Sequence, residues 1–461
     1  MICTGGPVFL HPSVRLPAGT EQAGGTAGSW RALMKQIETL HGNRKVSEEM
    51  KGLSFAKKAG LILIGLYSLA VFSYGIYGGL TGSADQKSFY YTSKLLIEKK
   101  DPYALGCDFI KQVPANVPYT DYKGIKQAGG ISLYPPSAHI LFIPFYFFLV
   151  SPKAAIFSWL LWNIIFIAII FYIISKKYLL QTSAVCIYLL LCLTIGASAT
   201  KTNLSLGQTA LFCCAAFLVT IVLKEKHKWL SGLVFAFAVS KPSLMIFFAL
   251  YLLFKKEYTI VLVALLIHVC ITIAVSLWIG ISPVLLMSNY FEKVSLAFSH
   301  PGSLLVLQTA GISAKSILYL INLPGIIQSA ITSLLYGVAI LFLYKNRGLE
   351  EITVLGLISL LTLLVDYHHH YDFIMVLLMF PVFAVFAEQK QQFVWQFLYF
   401  LFLLYIPNFS RINFFGYATS SFFLSHMNYL FWWQVFYTSL YVLLLVVYMN
   451  AFSRKYISTS P

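Results

Sequence analysis

The chain has 461 residues, 58% of them hydrophobic and only 11% charged, with a mean hydropathy of +0.75. A soluble domain carries about 25% charged residues, so a soluble enzyme, a disordered chain, a coiled coil and a collagen-like repeat are excluded. Its continuous apolar runs exclude an alternating transmembrane β-barrel as well. The net charge of +16 would suit nucleic acid in a soluble protein. Here the basic residues sit between apolar runs, as the positive-inside rule requires, and no nucleic-acid partner is expected.

In chain order, residues 1–58 are polar and basic and hold no signal-peptide core, so they read as a cytoplasmic, poorly ordered tail whose first 49 residues are either dispensable or an over-extended start. Residues 59–461 read as one membrane-embedded domain, an all-α bundle. The first span is 59–80, with Lys57 and Lys58 holding its start inside. A long first outer loop, 81–153, comes next; its apolar piece 137–150 is short for a ~30 Å core and is expected to dip into the outer face. Further spans fall at 154–175, 179–198, 207–223, a hairpin at 229–240 and 243–254, and 258–280. After a second outer loop, 281–324, come 325–344, 351–367, 373–387, 393–407 and 431–451. This gives about twelve crossings with both ends inside. Lys176-Lys177, the cluster from Lys224 to Lys228, Lys255-Lys256, Lys345 and Arg347, Lys390 and Arg454-Lys455 all become cytoplasmic. No cysteine pair has zinc-ligand spacing, and no disulfide framework is implied.

Charged groups are costly inside a membrane, so the chemistry belongs where polar residues gather. In this topology that is the outer rim: Asp85, Tyr134, Asn203, Gln208, Lys241, the stretch Asp366-Tyr367-His368-His369-His370-Tyr371-Asp372, and Arg411. Asp85 suits a helix N-cap, and a carboxylate fixed there can also act as general base if one oxygen stays free. Lys241 can snorkel to the interface or hold a lipid phosphate, with Pro242 breaking the helix behind it. In the triple histidine, Asp366 with His370 and His368 with Asp372 stand at i and i+4 and share helix faces. A hydrogen-bonded carboxylate–imidazole pair is expected there in preference to a metal. Asn203 to Gln208 either caps the next helix or lines a phosphate site. Arg411 and Lys201 add positive charge or anchor to head groups, and His268, mid-span, reads as a hydrogen-bonded structural residue. No Walker or GxGxxG loop on a strand is present, so a donor is expected to be membrane-borne.

The order of motifs is an acidic residue after the first span (Asp85), a Tyr-rich helix, Asp101-Pro102-Tyr103, Tyr134-Pro135-Pro136, Gly207-Gln208, Lys241-Pro242 and His369-His370-Tyr371. This resembles glycosyltransferase family 87, membrane enzymes of the GT-C superfamily, from Ala59 to about Ala387. The resemblance implies a GT-C-like bundle that moves a hexose, mannose first, from a polyprenyl-phosphate donor to an extracytoplasmic glycolipid or glycan acceptor. It implies Asp85 as the catalytic acidic residue and His369 or His370 as the late functional histidine. Lys241, His369, His370, Tyr371, Gln208, Asn203, Tyr134 and Arg411 would then face donor phosphate or substrate, with no cofactor and no metal. The membrane implied is a bacterial plasma membrane, with the site on the extracytoplasmic side. Two positions depart from the family pattern: Gln86 stands where an aromatic residue is common, and Thr209-Ala210 where a polar residue is often found. A flippase or transporter, and a glycan ligase or polymerase, are the rival readings.

Overall fold

The computed structural model describes residues 54–81, 84–114, 132–180, 182–300, 313–320, 324–365, 368–389, 394–405, 435–436 and 438–449. Most of the tail expected at 1–58 therefore lies outside the described residues, as do Asp366, Tyr367 and Arg411.

Among the described residues the elements are helices and no strand occurs. Helix α1 is Phe55–Thr81, α2 Ala84–Ile97, α3 Pro102–Gln112 and α4 Pro136–Phe142, the last running into a 3-10 helix at Ile143–Leu149. Then come α5 (Pro152–Tyr178), α6 (Ala184–Gly196), α7 (Ser198–Leu206), α8 (Ala210–Leu223), α9 (Lys228–Val239), α10 (Pro242–Phe254) and α11 (Tyr258–Ile279). The remainder are α12 (Pro283–Ser299), α13 (Ala314–Leu320), α14 (Gly325–Asn346), α15 (Glu351–Val365), a 3-10 helix at His370–Met379, α16 (Phe380–Gln389), α17 (Val394–Tyr405) and α18 (Thr438–Met449).

Every stretch expected to cross holds a helix. Among the described residues six helices are long and apolar enough to span a bilayer: 55–81, 152–178, 184–206, 258–279, 325–346 and 370–388. The other six apolar helices have 10–17 residues, including both arms of the hairpin, α9 and α10. The protein is therefore an integral membrane protein built from helices. Of the two segments expected outside, the first contains α2 and α4, where helices are expected after Asp85 and at 137–150, together with α3, and the second contains α12 and α13. The sequence pattern predicts loop where α3, α12 and α13 stand. The reason is local: Asp101 caps α3 by accepting from the Tyr103 and Ala104 N–H groups at 2.8 and 3.3 Å, and Pro102 fills the first helical position. The other Asp101 oxygen accepts from Asn289 Nδ2 at 2.7 Å, tying α3 to α12.

Helix packing sets where the polar helix ends stand. Along α1, Gly75, Gly78 and Gly79 face α7, where an added Cβ on Gly79 would stand 2.6 Å from the Leu204 carbonyl oxygen and one on Gly78 2.7 Å from Ser205 Cβ. Small residues let two membrane helices approach backbone to backbone; the C-terminal ends of α1 and α7 therefore run side by side. The centre of the bundle is α15 with the segment after it, since every residue of α15 after Glu351 is buried and 83% of the 370–388 span is buried. By contrast α1, α11 and α14 present most of their surface outward.

Candidate active site

Because α1 and α7 end together, the residues just beyond them meet. Asp85 lies in the first turn of α2, where the helix N-terminus favours a negative charge. Gln208 comes directly after Gly207, which ends α7 in the left-handed conformation at φ +70°. A side chain at Gly207 would also put its Cβ 2.4 Å from Gln86 Cβ, so both the backbone and the space there require glycine. The turn brings the Gln208 amide onto Asp85, to whose Oδ2 its Nε2 donates. Asp85 is half-buried, and burial raises its carboxyl above the ordinary range, against the lowering effects of the Gln208 hydrogen bond and the Lys241 charge.

Lys241 stands between α9 and α10, with Pro242 opening the second helix. Its ammonium donates to Asp372, a buried carboxylate. It also lies over the Tyr371 ring, 4.6 Å from the centroid. The second Asp372 oxygen takes His368 Nδ1 at 3.0 Å. His368 and Asp372 are the pair expected from their spacing, although the bond forms where an extended residue enters a 3-10 helix rather than along an α-helix. Asn203 Nδ2 donates to the Tyr371 carbonyl at 2.7 Å, fastening α7 to this segment. Tyr134 shares a 2.7 Å hydrogen bond with Thr209, the residue after Gln208, and its carbonyl accepts from the Tyr103 hydroxyl at 3.1 Å.

The structure thus gathers Asp85, Gln208, Asn203, Tyr134, Lys241 and Tyr371, with His369 stacked on Tyr371 at 5.0 Å. His370 makes no hydrogen bond to the Lys241–Asp372 pair among the described residues. Its ring stacks on Phe373 at 5.8 Å, and among the described residues neither ring nitrogen has a partner. Arg411 lies outside the described residues. His268 is the structural residue expected, bridging Ser137 Oγ at 2.7 Å and the Ala236 carbonyl at 2.8 Å.

Asp372 is the residue that sequence reasoning left out of the site. Its spacing from His368 was visible; its pairing with Lys241 joins positions 131 apart in the chain and has no local signature. Thr209, read as a departure, anchors Tyr134. Buried polar atoms without a partner among the described residues cluster on the same segments: both amide atoms of Gln86, Gln208 Oε1, Asn203 Oδ1 and His368 Nε2. Such groups call for a ligand or water. Among the described residues no three His, Cys, Asp or Glu side chains gather as a metal site.

A family model described as glycosyltransferase family 87 matches residues 133–366, just over half of the chain. The matched stretch contains Tyr134, Asn203, Gln208 and Lys241, while Asp85 and His368 to Asp372 flank it on either side. No curated protein and no solved structure matches the chain.

Proposed function

The chain belongs to glycosyltransferase family 87, and from that premise we propose that it is an inverting hexosyltransferase that takes its sugar, mannose first, from a polyprenyl phosphate. The acceptor is a glycolipid or glycan hydroxyl on the extracytoplasmic side of a bacterial plasma membrane. The observation that carries this reading is the meeting of Asp85 with Gln208 beside the Lys241–Asp372 pair, from segments far apart in the chain.

The reaction needs a base, a cation at the leaving group and a place for the sugar between them. Gln208 occupies one oxygen of Asp85 and, among the described residues, no hydrogen bond reaches the other. That oxygen is available to an acceptor hydroxyl, and a raised carboxyl pKa makes Asp85 a stronger base than a surface aspartate. An ammonium has three N–H donors; with one on Asp372, Lys241 can turn the others to a phosphate oxygen. The Asp85 carboxylate takes the hydroxyl proton as the acceptor oxygen bonds to the anomeric carbon. The bond from that carbon to the phosphate oxygen breaks, and its electron pair leaves with the polyprenyl phosphate. Lys241 stabilises the charge that develops there. One displacement inverts the anomeric carbon.

The test is an assay of purified protein with labelled polyprenyl-phosphate-mannose and a panel of glycolipid acceptors. The expected product carries mannose in the anomeric form opposite to that of the donor. A retained anomer, or label released only to water across the whole panel, contradicts the proposal.

A further inference from the structure

Asp372 stands at the centre of the positive end of the site. Its carboxylate is buried in the first turn of the 3-10 helix at His370–Met379, where its own N–H donates to the His369 carbonyl at 2.9 Å. The two oxygens take different partners. Lys241 Nζ donates to Oδ1, and His368 Nδ1 lies 3.0 Å from Oδ2. The His368 side chain is as deeply buried as the carboxylate, at 1% and 2% exposed. Lys241 is gripped from a second side by the Tyr371 ring, 4.6 Å from its ammonium. That ring is placed by the Asn203 bond to the Tyr371 carbonyl at 2.7 Å.

These partners fix the state of the imidazole. A carboxylate paired with an ammonium has only acceptors to offer, so the hydrogen of the contact belongs to His368 Nδ1. In the neutral ring Nε2 is then the acceptor; it is buried and has no partner among the described residues. The bond made by one ring nitrogen sets the proton on the other. Here the influence also runs the other way. With Oδ2 committed to His368, Lys241 meets one oxygen of Asp372 rather than both. Without that N–H the buried Oδ2 would lack a donor, which is costly. The carboxylate would turn both oxygens onto the donor that remains, the Lys241 ammonium.

We propose that His368 is a positioning residue: by holding one oxygen of Asp372 it keeps the Lys241 charge incompletely neutralised and open to a phosphate. It acts through Asp372 and not by touching the ligand. The inference rests on the proposed function for what Lys241 meets, and adds what tunes that meeting. The Coulomb gain scales with the charge on the phosphate. A sugar-bearing polyprenyl phosphate is a diester with a single negative charge. The phosphate left after transfer is a monoester, carrying about −1.5 to −2 at pH 7. His368 therefore favours the leaving form over the donor, which is the direction that accelerates transfer.

The experiment uses full-length protein in lipid nanodiscs and compares wild type, His368→Asn and His368→Phe. An asparagine amide can still donate to Oδ2; a phenylalanine ring fills the space and cannot. Dissociation constants are measured for polyprenyl phosphate and for polyprenyl-phosphate-mannose. His368→Phe is expected to weaken the monoester about tenfold and the diester about threefold, and to lower kcat more than it raises KM. His368→Asn is expected to keep wild-type values. Equal weakening of both ligands, no weakening of either, or an asparagine variant no better than the phenylalanine one overturns the proposal. A second measurement stands even if His368→Phe does not fold. In protein carrying isotope-labelled histidine, the nitrogen resonance lost in His368→Asn is expected to report a protonated Nδ1; a bare Nδ1 overturns the proposal. Binding needs no turnover, so the expected loss of monoester affinity in a protein that transfers no hexose would sink the transferase reading and leave the role of His368 standing. Hexose transfer with equal weakening would do the reverse.

Discussion

A carboxylate where Asp85 sits is under opposing pulls: burial favours the protonated acid, while the Gln208 amide and the Lys241 charge favour the carboxylate. These pulls set the direction of the pH response. Gln208→Leu removes a donor to the ionised form, so the carboxyl pKa rises further and the acid limb of the pH–rate profile moves to higher pH. A limb that stays in place or moves lower would show that Asp85 does not set it. Lys241 and Asp372 make a second residue-scale case, because both are largely buried and each neutralises the other. Lys241→Met strands a buried carboxylate and is expected to cost about 3–5 kcal/mol, read as an earlier thermal unfolding midpoint. The double variant Lys241→Met with Asp372→Leu should recover most of that stability and none of the activity. Recovered activity would make the pair merely structural. The sequence showed the two ends of this arrangement separately, Lys241 by its proline and Asp372 by its spacing from His368. It hid their union because pairing across 131 residues leaves no periodic trace.

Helix ends rather than helix bodies carry the chemistry, so a site here is only as good as the packing that aligns those ends. The close approach of α1 to α7 aligns Asp85 with Gln208. Gly79→Leu would drive a side chain into the Leu204 carbonyl, backbone that cannot rotate away. The expected result is a loss of about 1–3 kcal/mol of stability and a fall in transfer rate larger than that of Gly60→Leu, at a position facing open space on the same helix. Equal effects at the two glycines would mean that this packing does not align the site. Apolar run lengths made the crossing helices legible and placed the break at Lys241-Pro242. They did not reveal α3, since caps such as Asp101 act on single turns that hydropathy averages away. Nor did they single out Gly75, Gly78 and Gly79, whose meaning depends on a partner helix far along the chain.

Across the whole molecule the polar groups divide between two ends. At one, Glu351 accepts from Lys177 at 2.7 Å and from Tyr178 at 2.9 Å, and pairs with Lys224, clasping α5, α8 and α15. At the other stand Gln208 and Asp372. Helix α15 has 15 residues, so the clasp and the site lie about 22 Å apart along it. Lys177 and Lys224 belong to the clusters expected inside, so the proposed topology puts the clasp on the cytoplasmic side and the site on the outer face. In a background with the native cysteines replaced by serine, a membrane-impermeant maleimide added to intact cells should label Gln112→Cys and leave Lys226→Cys unmodified. The opposite pattern would invert the topology. The decisive comparison is between wild-type protein and Asp85→Asn in transfer of labelled mannose from polyprenyl phosphate to a glycolipid acceptor, with donor binding recorded alongside. The variant is expected to bind donor, keep its unfolding midpoint and transfer no sugar; turnover at the wild-type rate would remove Asp85 from the role of base.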